Sequence, residues 1–99
     1  MPKVLFTVSY HVRPEMREAY LSHARQLRNH LQGEEGKNYS VFQAKGKDHH
    51  FSEVFVADSL EDFDTMEDNQ DEVTRKLLQD IENCMERGTT RYTTMLELD

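Results

Sequence analysis

One stretch of the sequence decides the fold class, and it reads KVLFTVSYHV from Lys3 to Val12. Apolar and more polar side chains alternate along it, and a period of two is typical of a β-strand with one buried face. The apolar positions are Val4, Phe6, Val8, Tyr10 and Val12, and the positions between them are Leu5, Thr7, Ser9 and His11. Arg13 and Pro14 come next, and proline both ends a strand and suits the first turn of a helix. The sequence predicts a strand over residues 3–12 that runs directly into a helix.

The elements that follow alternate in a regular way. An apolar stripe at steps of three and four predicts a helix over Glu15–Leu31. Two apolar runs then predict strands over Tyr39–Lys45 and Phe51–Ala57. Gly46–Asp48 between them has the composition of a turn, so the two strands are expected to form a β-hairpin.

The second half of the chain predicts a helix in two pieces and a last strand. Ser59 is a good N-cap for the first piece, and the helix is expected to break at Asp68–Asp71. Asn69 is the predicted cap of the second piece, which should continue to a left-handed glycine cap at Gly88. Thr89–Leu98, rich in Thr, Tyr and Leu, predicts the closing strand.

The element order β-α-β-β-α-β predicts an α+β, ferredoxin-like fold for a single domain over residues 1–99. Right-handed crossovers place the helices on one face of a four-stranded antiparallel sheet. The other face would then be bare, and a second copy is the simplest cover for it. Only 36% of the 99 residues are apolar, so shared burial in a homodimer would also help a small core.

With this order, the chain resembles the antibiotic biosynthesis monooxygenase-like domains of the dimeric α/β-barrel superfamily. Two segments carry the resemblance: the strand FTVSYHV ending at Val12 before Arg13-Pro14-Glu15, and FSEVFV over residues 51–56 before a Ser59-capped acidic helix. The resemblance implies a dimeric α/β barrel, with subunits packed sheet against sheet and a ligand cleft between sheet and helices.

The resemblance also implies a function, and it leaves alternatives open. It implies a cofactor-independent monooxygenase acting on a small hydrophobic or aromatic molecule, without a cofactor or a metal. Members of that group commonly use a tryptophan in the cleft, and this chain has none. The alternatives are a non-catalytic module that binds a small ligand, haem included, or a purely structural dimer.

Glu53 is the most conspicuous candidate for chemistry, because it lies between Phe51 and Phe55 on one face of a predicted central strand. Burial there would raise its pKa toward the range of a general base. His11 is predicted as its catalytic partner if both side chains lie on one side of the sheet. The candidate substrate-binding residues are Tyr39, Phe51, Phe55 and Ser9. The alternative is an interface glutamate paired with Arg, Lys or Tyr of the same or the partner subunit.

The remaining histidines and the cysteine give little indication of a site. The adjacent pair His49-His50 would point apart in a strand, and no tight ligand spacing such as H-x-x-x-H occurs, so no metal site is predicted. Cys84 lies on the apolar stripe of the last helix without a basic cluster beside it, and we expect it to be a buried structural residue.

Charge and hydropathy exclude several classes of function. The net charge is −7, with residues 1–50 at +3 and residues 51–99 at −10, which argues against a nucleic-acid partner. No apolar run approaches the roughly 20 residues of a membrane span, and the start lacks the apolar block of a signal peptide. A single cysteine fits a reducing compartment, so the predicted location is the cytoplasm.

Overall fold

In the computed structural model, which describes residues 2–34, 36–66 and 68–98, a four-stranded sheet packs against three α-helices. The strands are β1 (Val4–His11), β2 (Asn38–Gln43), β3 (His50–Ala57) and β4 (Arg91–Leu96). The helices are α1 (Arg17–Asn29), α2 (Leu60–Met66) and α3 (Glu72–Glu82). A 3₁₀ turn over Pro14–Met16 precedes α1, and a π-helical turn over His30–Glu34 follows it. None of the described helices is long and apolar enough to cross a membrane.

The sheet has the strand order β2-β3-β1-β4, and every neighbouring pair is antiparallel. The first and third strands of the chain are therefore central, and the hairpin partner β2 and the last strand β4 form the edges. This is the predicted α+β, ferredoxin-like arrangement, which the structure confirms.

The pairing register decides which side chains share a face of the sheet. Val8 lies opposite Glu53, and Tyr10 lies opposite Phe51. The face that carries these residues packs against the helices and forms the core, whose buried members include Tyr20, Ala24, Leu27, Leu77 and Ile81. We call the opposite face, with Leu5, Thr7, Ser9, His11, Ser52, Val54 and Val56, the uncovered face, because the described helices all lie on the other side.

The last helix ends earlier than predicted, at Glu82 instead of Gly88. The next residues leave the helix to pair with the end of β1: Met85 forms an isolated antiparallel bridge with Val12, and the Glu86 N–H donates to the His11 carbonyl at 2.7 Å. Gly88 does adopt a left-handed φ of 77°, but it does so in the turn before β4. Long-range strand pairing, which local periodicity does not report, decides this boundary.

One helix cap is confirmed, and the other lies on a different residue. The hydroxyl of Ser59 accepts the Asp62 N–H at 3.1 Å, as predicted. At α3 the cap is Asp71, whose carboxylate accepts the Thr74 N–H at 2.8 Å, so the predicted cap Asn69 is wrong. The other oxygen of Asp71 contacts His30 at 2.8 Å, and this tertiary contact helps to select Asp71.

The strands are also slightly shorter than predicted at several ends. The strand β2 stops at Gln43 and not at Lys45, because Ala44 opens the hairpin turn by accepting the Lys47 N–H at 3.1 Å. Gly46 in this turn has a φ of 80°, a left-handed conformation that favours glycine. The strand β4 covers Arg91–Leu96 instead of the predicted 89–98, the length over which β1 pairs with it.

Candidate functional site

The candidate site is built around Glu53, a carboxylate in the middle of the sheet that is only 3% exposed. Its two oxygens each accept a hydrogen bond from a buried phenol. The Tyr39 hydroxyl donates to Oε1 at 2.7 Å, and the Tyr10 hydroxyl donates to Oε2 at 2.9 Å. The carboxylate is thus held in place from both neighbouring strands.

Strand register brings these three side chains together. Glu53 lies opposite Val8 on β1 and Val41 on β2. Tyr10 is two residues after Val8, and Tyr39 is two residues before Val41, so both lie on the same face as Glu53. Such diagonal neighbours on one face are within reach of long aromatic side chains. The phenols therefore reach the carboxylate because of the pairing of β3 with β1 and β2.

The first helix adds a third phenol to the network. The hydroxyl of Tyr20 lies 2.8 Å from that of Tyr10, and since Tyr10 donates to Glu53, Tyr20 donates to Tyr10. The Tyr20 ring also packs on Phe51, with centroids 4.6 Å apart. All three tyrosine side chains are fully buried. The network is therefore a continuous chain of hydroxyls that ends on the carboxylate.

Burial dominates the electrostatics of this network. It raises the pKa of Glu53 above the usual value of a glutamate, and the hydrogen bonds from Tyr39 and Tyr10 offset part of that rise. No ion pair involving Glu53 occurs among the described residues. The pKa values of Tyr10 and Tyr39 are raised far above that of an exposed phenol. Burial is the largest cause, and the nearby Glu53 carboxylate is the second. The phenols thus stay protonated donors, and the carboxylate is the group that can change its charge.

A cleft of about 630 Å³ opens between the sheet and the helices α2 and α3, and Glu53 forms part of its wall. Its apolar lining is Phe6, Val8, Leu31, Phe55, Phe63, Met66, Leu78, Ile81, Met85 and Tyr92. Its polar lining is Lys37, Glu53, Asp64, Gln70, Thr74, Glu82 and Thr90. A concave, mostly apolar space with a few polar groups is the usual form of a small-molecule site.

Thr74 is the second polar group that the cleft holds out of water. It is 3% exposed, and its hydroxyl has no hydrogen-bond partner within residues 2–34, 36–66 and 68–98. Its backbone N–H is bound by the Asp71 cap, which fixes the residue in the first turn of α3. A buried hydroxyl without a partner costs free energy, and a ligand or a water molecule in the cleft would supply the missing bond.

The structure divides the predicted site residues between the two faces of the sheet. Glu53 and Phe55 line the cleft, and Tyr39 holds Glu53 and packs on Phe55 with centroids 4.6 Å apart. Phe51 lies behind them, against the ring of Tyr20.

The other two predicted residues lie on the uncovered face. The hydroxyl of Ser9 is 2.7 Å from that of Ser52, and the His11 ring packs on His50 with centroids 4.7 Å apart. Adjacent residues of a strand point to opposite faces, so His11 lies across the sheet from the Tyr10–Glu53 contact. The condition for a His11–Glu53 pair, that both lie on one side, is therefore not met.

Two features of the site escaped the sequence reasoning. The alternative of a tyrosine partner for Glu53 does not identify which tyrosines are involved, although the alternation of β1 already places Tyr10 on the apolar face. The contact of Tyr20 with Tyr10 depends on how α1 packs on the sheet. The sequence does not indicate Thr74, because a threonine near a helix start has no pattern that distinguishes a buried cleft residue from an exposed one. Its proximity to the cleft depends on how α3 packs on the sheet.

The described residues offer no evident place for a metal ion in the cleft. No group of three or more His, Cys, Asp or Glu side chains within them is arranged to hold one. The cleft lining contains no histidine, so its described walls provide no imidazole for a haem iron.

Solved structures share this fold over nearly their whole length. A conserved protein from Methanosarcina mazei Go1 has a TM-score of 0.83 at 14% identity, covering 99% of this chain and 95% of that chain. An antibiotic biosynthesis monooxygenase has a TM-score of 0.74 at 16% identity, covering 97% of each chain. A Bacteroides thetaiotaomicron protein of unknown function, described as a possible oxidoreductase, has a TM-score of 0.78 at 17% identity, covering 96% and 97%.

No protein-family model matches the chain, and no curated protein matches it significantly. The structural likeness shows the fold, and the chain has the fold of an antibiotic biosynthesis monooxygenase-like domain, as its sequence resemblance predicts.

Proposed function

We propose that this protein is a cofactor-independent monooxygenase that binds a small hydrophobic or aromatic molecule in the cleft beside Glu53. Glu53 acts as the general base, and Tyr10 and Tyr39 hold it in position. Phe55 and the other cleft aromatics bind the rings of the substrate. His11 and Ser9 take no part in the chemistry of the cleft, because they lie on the uncovered face.

The observation that carries this proposal is a buried carboxylate with a raised pKa and no ion pair among the described residues, in the wall of an aromatic cleft. A carboxylate has about four lone-pair positions, and the two phenols occupy one on each oxygen. Lone pairs therefore remain for a proton from the substrate. Burial raises the pKa of Glu53 above that of an exposed carboxyl, which increases its affinity for a proton.

The oxidation needs no cofactor if the substrate supplies all four electrons that O₂ accepts. Glu53 removes a proton from a carbon next to the aromatic rings, and the electron-rich anion forms a C–O bond to O₂. Loss of the second hydrogen from that carbon and cleavage of the O–O bond then yield a carbonyl group and water. The proton held by Glu53 returns to the departing oxygen. One oxygen atom stays in the product, and the four electrons accepted by O₂ come from the two C–H bonds.

A second candidate is a binding module that holds a small ligand without turnover. The unpaired hydroxyl of Thr74 favours it, because this group lacks a partner among the described residues and would gain one from any polar ligand. Both candidate functions require ligand binding, but only the monooxygenase consumes oxygen.

An oxygen electrode tests the proposal with a series of anthrones as probes, because their ring methylene carries the two C–H bonds that the reaction breaks. We expect oxygen uptake and a carbonyl product with at least one probe. Glu53→Gln should abolish uptake without loss of the fold, and Glu61→Gln, which alters an exposed carboxylate on α2, should retain it. Binding of the probes without any oxygen uptake would contradict the monooxygenase and support the binding module.

We also propose that the protein acts as a homodimer paired through the uncovered face. Large apolar side chains support this, since Phe42 and Met95 on that face are 57% and 46% exposed. Val54 and Val56 add further apolar surface on β3. Sheet-against-sheet pairing would remove this surface from water.

A further inference from the structure

The uncovered face brings two histidines from distant parts of the chain together. His11 ends β1 and His50 begins β3, and the two are direct partners in the antiparallel pairing. Side chains at such opposed positions have Cβ atoms about 4.5–5.5 Å apart on one face. Their imidazole rings lie with centroids 4.7 Å apart and planes at 70°. The two imidazoles therefore pack edge to face at the end of the β1–β3 pair.

The spacing of the rings matches that of two imidazoles on one metal ion. Imidazole nitrogens bind zinc at about 2.0–2.1 Å, and two such ligands in tetrahedral geometry have ring centres roughly 5 Å apart. The 4.7 Å separation of His11 and His50 is close to that value.

The ring nitrogens are not engaged elsewhere among the described residues. Neither histidine side chain makes a hydrogen bond or an ion pair there, and Nδ1 of His50 is buried without a partner. An orphaned buried nitrogen is unfavourable, since each buried polar atom normally has a partner. A metal ion between the rings would remove that deficit for a nitrogen that it binds.

We propose that His11 and His50 form a two-histidine binding site for a divalent transition-metal ion on the uncovered face. Imidazole suits Cu²⁺, Ni²⁺ and Zn²⁺, and copper should bind most tightly by the usual order of affinities. Water or groups from another molecule would complete the coordination. The prediction of no metal site from the sequence considered only neighbours along the chain, and this pair exists only through strand pairing.

Calorimetric titration of the untagged full chain with CuCl₂ and NiCl₂ tests the site. We expect saturable binding that is weakened roughly ten-fold or more by either His11→Asn or His50→Asn, because one imidazole loses the chelate advantage of its neighbour. His23→Asn on α1 is the matched control and should bind as the original chain does. Equal affinity in His11→Asn and the original chain, or equal weakening by His23→Asn, would overturn the proposal.

A spectroscopic measurement on the unaltered chain keeps the test independent of the folding of the variants. The electron paramagnetic resonance spectrum of the Cu²⁺ complex should show coupling to two imidazole nitrogens. Coupling to one nitrogen or to none would overturn the proposal. Glu53→Gln should leave metal binding unchanged, so failure of this proposal and failure of the proposed function are distinguishable.

Discussion

Glu53 is an ordinary residue type in an unusual setting, and burial in that setting accounts for its raised pKa. A buried carboxylate without a cation normally carries a penalty of several kcal/mol. Two phenols reduce that penalty by donating hydrogen bonds to it. The remaining penalty appears as a raised pKa, which favours the role of general base that we propose for Glu53.

The raised pKa of Glu53 predicts a dependence of stability on pH. The pKa of Glu53 is higher in the folded protein than in the unfolded chain. At pH values from the unfolded-state pKa upward through the folded-state pKa, the native state therefore binds more protons than the unfolded state. Stability should therefore fall as pH rises through this window, by at most about 1.4 kcal/mol per pH unit from this group. Glu53→Gln removes the titration, so its stability relative to the original chain should increase with pH.

Urea unfolding at a series of pH values measures this difference. Glu61→Gln on the exposed side of α2 serves as the control and should follow the pH profile of the original chain. If the difference in stability between Glu53→Gln and the original chain stays constant with pH, the pKa of Glu53 is not raised and the prediction is wrong.

Cys84 illustrates a reactive residue type in a structural position. It is fully buried, its thiol donates to the Asp80 carbonyl at 3.4 Å, and burial raises its pKa. We expect Cys84→Ala to lower the free energy of unfolding by about 1–2 kcal/mol, because it leaves a small cavity in the core. Denaturant unfolding measures the loss, and ligand binding should remain intact. Loss of binding in a variant that folds normally would assign the thiol to function.

At the scale of elements, α3 matters most for the cleft, since it carries Thr74, Leu78 and Ile81 into the lining. Its position is defined at both ends by tertiary contacts. Asp71 caps its start and contacts His30 at the end of α1, and the bridge between Val12 and Met85 ends the helix by drawing the chain toward β1.

Removal of the Asp71 cap should lower the stability of the protein measurably. Asp71→Ala removes the acceptor for the Thr74 N–H and the contact with His30, and it should cost about 1–2 kcal/mol. Asp71→Asn, which can still cap the helix, should cost less. Asp68→Ala, at an exposed position before the helix, is the control and should change stability little. A loss with Asp68→Ala as large as with Asp71→Ala would contradict the assignment of the cap.

For the whole molecule, the one-sided placement of the helices is the decisive feature. It creates the cleft on one side and leaves apolar groups such as Phe42 and Met95 exposed on the other. The proposed homodimer follows from this asymmetry, because a second copy offers the same apolar surface and a closed two-fold contact.

Sedimentation velocity at micromolar concentration tests the homodimer. We expect a dimer for the original chain and a shift toward monomer for Val54→Asp, which places a charge on the uncovered face. Val73→Asp introduces the same change on α3, where the valine is 50% exposed on the helical side, and it should leave the dimer intact. A stable monomer of the original chain would refute the proposed pairing.

Local patterns alone determined the order and type of the elements. These patterns are properties of residues close together in the chain: the alternation from Val4 to Val12, the helical stripe that follows and the cap at Ser59. The same patterns placed Glu53 on the apolar face of β3 and made it the main candidate for chemistry. The fold class could therefore be predicted without reference to distant contacts.

Only the tertiary structure decided which of these residues meet. The pairing register places Tyr10 and Tyr39 against Glu53, puts His11 on the other face beside His50, and ends α3 at Glu82 by pairing Met85 with Val12. Packing of α3 on the sheet brings Thr74 into the cleft. The physical reason is range: periodicity and capping act over a few residues, whereas these contacts join residues far apart in the chain, whose proximity depends on the whole sheet.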